Sequence, residues 1–248
     1  MLIKAKTLKD FRLNSLNGEI GRIQELYFDD RHWTVRYLVA DTGGWLPGRQ
    51  VLISPYALGV VSVEDRSVSV GLTKRQIEDC PPLESAKPVS RQFEEAYHAF
   101  HGWPGYWGGP AAWGAYDVMS ARDSTGFPPP EPSEVSHDYH LRSTAAVTGH
   151  QVHATDGDIG QVDDFIVDDS NWAIRYLVVS THAWLPGRKV LVAPRWISRI
   201  SWEESKVMVG LTRESVKASP EYSEQLLASR AYESKLHRHY DRSGYWAQ

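Results

Sequence analysis

Residues 33–55 read WTVRYLVADTGGWLPGRQVLISP, and residues 172–194 read WAIRYLVVSTHAWLPGRKVLVAP. The offset between them is 172 − 33 = 139. It holds well beyond this stretch. Gly18 and Gly21 fall on Gly157 and Gly160, and Val70-Gly71-Leu72-Thr73 falls on Val209-Gly210-Leu211-Thr212. Gly105-Tyr106-Trp107 falls on Gly244-Tyr245-Trp246. No insertion or deletion is needed between Phe11 and Trp107. The chain is therefore one unit used twice, and each copy is long enough to bury its own core.

The quoted stretch sets the local structure. Large side chains at Trp33, Val35, Tyr37 and Val39 alternate with Thr34, Arg36 and Leu38. Period two is the mark of a strand with one buried face. Trp172, Ile174, Tyr176 and Val178 repeat it, and Trp33, Tyr37, Val39 and their twins are expected to line the cores of the two copies. Asn17-Gly18 and Asp156-Gly157 supply hairpin turns, where both corners need positive φ. Asp29-Asp30-Arg31-His32 and Asp168-Asp169-Ser170-Asn171 mark the next turn. Leu46-Pro47-Gly48-Arg49 and Leu185-Pro186-Gly187-Arg188 are turns in which proline presets the first corner and glycine accepts the second. With the segments 51–53, 58–63 and 68–72, each copy holds about six short strands, the pattern of an antiparallel sandwich or small barrel.

A helix follows each strand set. Thr73 and Thr212 are placed to cap one turn each. Phe93, Ala96, Tyr97 and Phe100 recur at i, i+3, i+4 and i+7, which predicts an amphipathic helix over 90–101. Tyr232, Leu236 and Tyr240 predict a longer one over 221–240. Between the copies the chain changes character. HGWPGYWGGPAAWGAY is rich in glycine and aromatics, and TGFPPPEPSE reads as a stiff extended linker. The expected domains are 1–107, a linker at 108–142, and 143–248.

Composition excludes several classes. The chain has 248 residues, a net charge of −4 and one cysteine. Nothing in that balance points to nucleic acid, which calls for a basic surface. A single cysteine, Cys80, with Ser219 as its twin, allows no disulfide framework and no thiolate zinc site within one chain. No apolar run approaches the ~20 residues of a membrane helix. MLIKAKTLKD lacks an apolar core, so no signal peptide is expected and the expected location is the cytoplasm.

The candidates for chemistry are few. Histidines come in close pairs: His98 and His101, His137 and His140, His150 and His153, His237 and His239. A shared metal would need further ligands. His98 has His237 as its twin, but His101 falls on Tyr240, whereas a site duplicated with the fold would have kept both. Solvated or helix-face histidines are the reading. Asp29-Asp30, Asp163-Asp164 and Asp168-Asp169 fit turn residues bonding nearby amides, not a calcium loop. No serine-hydrolase elbow, zinc helix, phosphate loop or dinucleotide fingerprint is present. Cys80, beside Pro81-Pro82, is not read as a nucleophile. No catalytic residue, metal or cofactor is expected. What remains are the paired Trp45/Trp184, Arg36/Arg175 and Arg49/Arg188, with Tyr106-Trp107 and Tyr245-Trp246. Tryptophan, tyrosine and arginine are enriched at interface hot spots, so these are read as the candidate interface. The competing reading is that the tryptophans cover the ends of the copies and the arginines make local bonds.

Each copy resembles a PRC-barrel domain. The residues that carry the likeness are the Gly-x-Ile-Gly of 18–21 and 157–160, the Asp-Asp that precedes WxxRYLV, and the strand ending VLISP or VLVAP. It covers about 2–75 and 143–215. The family includes the cytoplasmic domain of the photosynthetic reaction-centre H subunit and the C-terminal domain of the ribosome maturation factor RimM. The tandem form resembles bacterial proteins described only as PRC-barrel domain-containing. The resemblance implies two small antiparallel β-barrels, each followed by an α-helix, in a mainly β chain with an internal pseudo-two-fold. It implies a docking or assembly module with no family-wide catalytic residues. The chain departs from the reaction-centre subunit in lacking a membrane helix, and from RimM in lacking the separate N-terminal barrel. The leading expectation is a non-catalytic interaction module with a protein partner and no membrane insertion. A ribosome- or RNA-associated assembly factor and a small-molecule binder or enzyme are the alternatives.

Overall fold

Short apolar runs separated by turn residues become strands. The computed structural model describes residues 1–46, 49–81, 89–107, 141–181, 187–226 and 229–247. In chain order the first elements are β1 (Leu2–Lys4), α1 (Ala5–Leu8), β2 (Arg12–Ser15), β3 (Gly18–Asp29), β4 (Thr34–Asp41), β5 (Val51–Ile53), β6 (Leu58–Ser62), β7 (Ser67–Val70), α2 (Lys74–Glu78) and α3 (Arg91–His101). Then follow β8 (Leu141–Ser143), α4 (Thr144–Val147), β9 (Gln151–Ala154), β10 (Gly157–Asp168), β11 (Ile174–Ser180), β12 (Lys189–Val192), β13 (Ile197–Ser201), β14 (Lys206–Val209), α5 (Arg213–Lys217) and α6 (Arg230–His239). Single 3₁₀ turns at Pro55–Ala57 and Pro194–Trp196 link β5 to β6 and β12 to β13. The fold is mainly β, with two sheets of seven strands each.

The two sheets are copies. One runs β5-β4-β3-β2-β7-β6, with β8 added on β3. The other runs β12-β11-β10-β9-β14-β13, with β1 added on β10. The pairings are antiparallel except for β2 with β7 and β9 with β14. The twelve-residue β3 is the spine. One of its edges carries β4, and the other carries β2 along its first half and β8 along its last three residues.

The added strands are exchanged between the sequence halves. Leu2, Ile3 and Lys4 face Asp168, Val167 and Ile166. Leu141, Arg142 and Ser143 face Asp29, Phe28 and Tyr27. Adding 139 to the first set of partners and subtracting it from their counterparts gives the second set, so the register is the same in both. The compact units are accordingly not contiguous in sequence. One comprises Met1–Lys6, Thr144–Asp168 and Ile174–Gln248, and the other Thr7–Ser143 and Asp169–Ala173. Within the latter, Thr34 bridges Ala173, its own counterpart at the 139-residue offset.

Gly21 and Gly160 show why the Gly-x-Ile-Gly pattern is needed. Their φ values are +138° and +144°. A Cβ on Gly21 would lie 2.1 Å from the carbonyl oxygen of Asp41, and one on Gly160 1.9 Å from that of Ser180. Only glycine lets the bent spine approach its neighbour this closely. The Asn17-Gly18 and Asp156-Gly157 turns have a further task. Asn17 Oδ1 accepts from the Lys74 amide at 2.8 Å, and Asp156 Oδ1 from the Arg213 amide at 2.7 Å. Each turn therefore caps the short helix of its own unit, beside the capping threonines Thr73 and Thr212.

Some expectations change. Trp33 stands outside β4, at φ 52°, and is only half-buried against Phe28, so it does not line the core. Tyr37, Val39, Tyr176 and Val178 do line it, as does Trp172 at 4% exposure. β4 is buried at every position from Thr34 to Ala40, not on one face. Period two reads burial on one side only. It misses α3 and the segment 102–107, which cover the other side. The second long helix is Arg230–His239, not the whole of 221–240, because only a 3₁₀ turn forms at Glu224–Leu226. Most of the proline-rich linker, and the Pro47-Gly48 and Pro186 corners, fall outside the described residues. Gly187 is described, and its φ of 79° is the left-handed corner expected of that turn.

Candidate functional site

The covered face of β4 carries the most concentrated set of titratable groups. Alternation sends Tyr37 to that face, and Glu94 and His98, four apart on α3, meet it. Tyr37 Oη lies 3.2 Å from Glu94 Oε1 and 3.3 Å from His98 Nε2. Helix α3 ends at Gly102 in the left-handed conformation, which turns the chain back over the helix. The returning segment brings the Pro104 carbonyl oxygen to 3.0 Å from His98 Nδ1. It also brings the Tyr106 hydroxyl to donate to Glu94 Oε1.

Cations and rings close the set. Arg91 lies 3.1 Å from Glu94 Oε2. The Arg36 guanidinium stacks 4.0 Å over the Tyr106 ring and reaches Asp29 Oδ2 at 3.2 Å. Trp107 packs under Arg91 at 4.5 Å and against His98 at 5.1 Å.

The whole arrangement recurs in the other unit. Tyr176 Oη lies 3.0 Å from Glu233 Oε1 and 2.9 Å from His237 Nε2. His237 Nδ1 lies 3.0 Å from the Ser243 carbonyl oxygen, and the Tyr245 hydroxyl donates to Glu233 at 2.9 Å. Arg230 pairs with Glu233 at 2.9 Å. Arg175 stacks 4.0 Å over Tyr245 and bonds Asp168 Oδ2 at 2.8 Å. Every member sits 139 residues from its counterpart.

Burial sets the electrostatics. Tyr37, Glu94 and His98, like Tyr176, Glu233 and His237, are each 4% exposed or less. Burial raises Glu94 above the ordinary carboxylate range against the pull of Arg91, and lowers His98 and His237 below the ordinary imidazole range. It pushes Tyr37 and Tyr176 far up, with the neighbouring glutamates adding to the effect. Asp29 is different. Burial alone would raise it, but Arg36 and His32 hold its carboxyl below the usual value.

A tyrosine between a carboxyl and an imidazole can pass protons, but here it reaches protein groups on every side. Among the described residues no cluster of three or more histidine, cysteine or acidic side chains is arranged to hold a metal. The buried Cys80 thiol is pushed up to about 12 by burial, so it stays protonated at neutral pH.

The candidate interface residues are spread over several surroundings. Arg49 donates to the carbonyls of Glu78 and Cys80 at 2.8 and 2.7 Å. Arg188 donates to those of Lys217, at 2.7 Å, and Ser219. Each arginine thus ties the end of the short helix α2 or α5 to its own sheet. Trp45 is half-buried, with the Lys74 ammonium 5.4 Å over its ring. Trp184 lies outside the described residues. Tyr106 is buried and Tyr245 partly so, both in the clusters above, while Trp107 is half-buried and Trp246 is 37% exposed.

Sequence reasoning named Tyr37, His98 and the Gly-Tyr-Trp ends separately but did not join them. The signal was available: Glu94/Glu233, Arg91/Arg230 and Arg36/Arg175 repeat at the same offset. Searches against family models and curated proteins return no match for this chain.

Proposed function

We propose that the chain is a non-catalytic protein-interaction or assembly module, built from two PRC-type barrels that each close their seven-strand sheet. The observation that carries this reading is where the polar chemistry lies. In both units the Tyr–Glu–His groups are spent inside, tying α3 or α6 and the segment after it to the sheet. Two exposed apolar side chains, by contrast, have no apolar counterpart in the other copy. Leu16 and Val60 are 69% and 74% exposed, and their counterparts are the polar Thr155 and Arg199. A feature shared by both copies serves the fold. A feature present in one copy is free to serve a partner.

Val60 stands at a register shift in β6, the last strand in its sheet order. Its amide is taken by Ser69 Oγ at 2.8 Å, so the backbone there is satisfied within the unit and the side chain points out. Side-chain contact, not strand addition, is therefore the mode of docking at this point. The test is capture from the native host with the wild-type chain and with Leu16→Asp/Val60→Asp. A protein retained by the first and lost with the second supports the reading. Equal retention by both, or turnover of a small substrate by the purified chain, overturns it.

A further inference from the structure

We propose that each unit stores one exchangeable proton in its Glu–Tyr–His cluster, and that this proton holds the helix and the segment after it on the sheet. The argument is an inventory of hydrogens. A carbonyl oxygen can only accept, so His98 Nδ1, 3.0 Å from the Pro104 carbonyl, carries a hydrogen. His237 Nδ1, 3.0 Å from the Ser243 carbonyl, does the same. In a neutral imidazole the other nitrogen, Nε2, is then a bare acceptor. That acceptor faces the tyrosine hydroxyl, at 3.3 Å in one unit and 2.9 Å in the other.

The same hydroxyl faces a glutamate oxygen, at 3.2 and 3.0 Å. It owns one hydrogen and stands between two acceptors. Tyr106 and Tyr245 spend their hydrogens on the same glutamate oxygens and supply none to Tyr37 or Tyr176. Both contacts are hydrogen bonds only if the cluster holds one more proton. It can sit on the glutamate, which then donates to tyrosine while tyrosine donates to histidine. It can sit on the histidine, with every donor reversed. The two forms have the same composition and interconvert by shifting hydrogens along the chain of three. Without that proton, two lone pairs face each other inside the core, at the cost of an unsatisfied buried group.

The surrounding charges bear on where the proton sits. Glu94 is faced by Arg91 from its own helix, by Tyr37 and Arg36 from β4, and by Tyr106 from the returning segment. His98 is faced by Tyr37, Arg36, Arg91 and the neighbouring His101. Arg36 is itself neutralised by Asp29 on β3. In the other unit Glu233 meets Arg230, Tyr176 and Tyr245, while His237 meets Arg195, Arg230 and the Arg242 backbone, and Arg175 is neutralised by Asp168. At Glu94 the arginines favour the ionised form and burial opposes it more strongly, so its carboxyl is held above the ordinary range.

An unfolded glutamate and histidine hold almost no proton above pH ~7.5, a unit above the ordinary imidazole value of about 6.5. Folding then takes up a proton per cluster, and stability falls as pH rises. The sign is opposite to that of a buried neutral histidine, whose effect is confined below the same pH. The test is denaturant unfolding of the full chain between about pH 7.5 and 9. The unfolding constant of each unit is expected to rise toward tenfold per pH unit where the folded cluster keeps its proton and the unfolded chain does not. In Glu94→Gln/Glu233→Gln the slope should vanish, because a side-chain amide donates to tyrosine without titrating. A flat or rising stability in the wild type, or an unchanged slope in the variant, overturns the proposal.

A second measurement needs no variant. Nitrogen-15 resonances of His98 and His237, with the infrared carboxyl band, give the protonation state at pH 7. A neutral carboxyl beside a neutral imidazole, or a carboxylate beside an imidazolium, supports one stored proton. A carboxylate beside a neutral imidazole overturns it.

Discussion

Gly21 and Tyr37 illustrate two ways in which one residue fixes this fold. Gly21 does so by what it lacks. Replacing it with alanine puts a Cβ against the Asp41 carbonyl at a φ that side chains rarely adopt. The expected loss is at least about 2 kcal/mol, from strain and clash together, and the same holds for Gly160→Ala. Urea melts check it, and a loss under ~0.5 kcal/mol would mean that the spine bends without the glycine. Tyr37 acts through both its ring and its hydroxyl. Alanine should cost about 3–5 kcal/mol as a large-to-small core change, and phenylalanine about 1–3 through the hydroxyl alone. Asp29 sets an acid limit. Its folded value is depressed, so its stabilisation is complete above the unfolded value of about 3.9 and is lost as pH falls through the folded one. Asp29→Asn should therefore be less stable than wild type near neutrality and lose less on acidification. Parallel acid titrations of the two would refute this.

At the level of elements, the helix and the segment after it act as one piece. α6 has three polar ties to the segment that follows it: the Ser243 carbonyl on His237, the Tyr245 hydroxyl on Glu233, and Arg230 over Trp246 at 4.3 Å. Removing residues 243–248 should cost about 2–4 kcal/mol, from two buried hydrogen bonds and the covering rings. Hydrogen exchange should rise in α6 and β11 first; unchanged protection there would show that the segment is passive. Much of this was legible in the sequence. The i, i+3, i+4, i+7 stripe located α3 almost to the residue, and Thr73 marked the start of α2. The joining of Tyr37 to Glu94, His98 and Tyr106 was not legible from spacing, because those residues are brought together by packing across 69 positions of chain (106 − 37). Only the repeat offset carries a trace of it. The edge of each spine was likewise ambiguous. Phe28-Asp29 and Val167-Asp168 offer β1 two nearly equivalent partners, and no local pattern chooses between them.

Across the whole molecule, the exchanged strands make the effect of a mutation appear far from its position in sequence. Ile3 is 5% exposed and pairs with Val167. Ile3→Asp should cost about 2–4 kcal/mol by placing a charge at an apolar position. The loss of hydrogen-exchange protection should appear in 160–168, while 20–29 stays protected. The reverse pattern would mean that β1 belongs to β3. The same feature sets an order on biosynthesis. The unit containing most of the N-terminal half receives its last strand only when Leu141–Ser143 has left the ribosome. Until then the last three residues of β3 offer an open edge, in the register that β1 takes on β10. A nascent chain therefore has a window in which the near partner is available and the native one has not been made. Leaving that wrong pairing is a rate, not an affinity, and slow translation through the stretch before residue 141 would lengthen the time in which it can form.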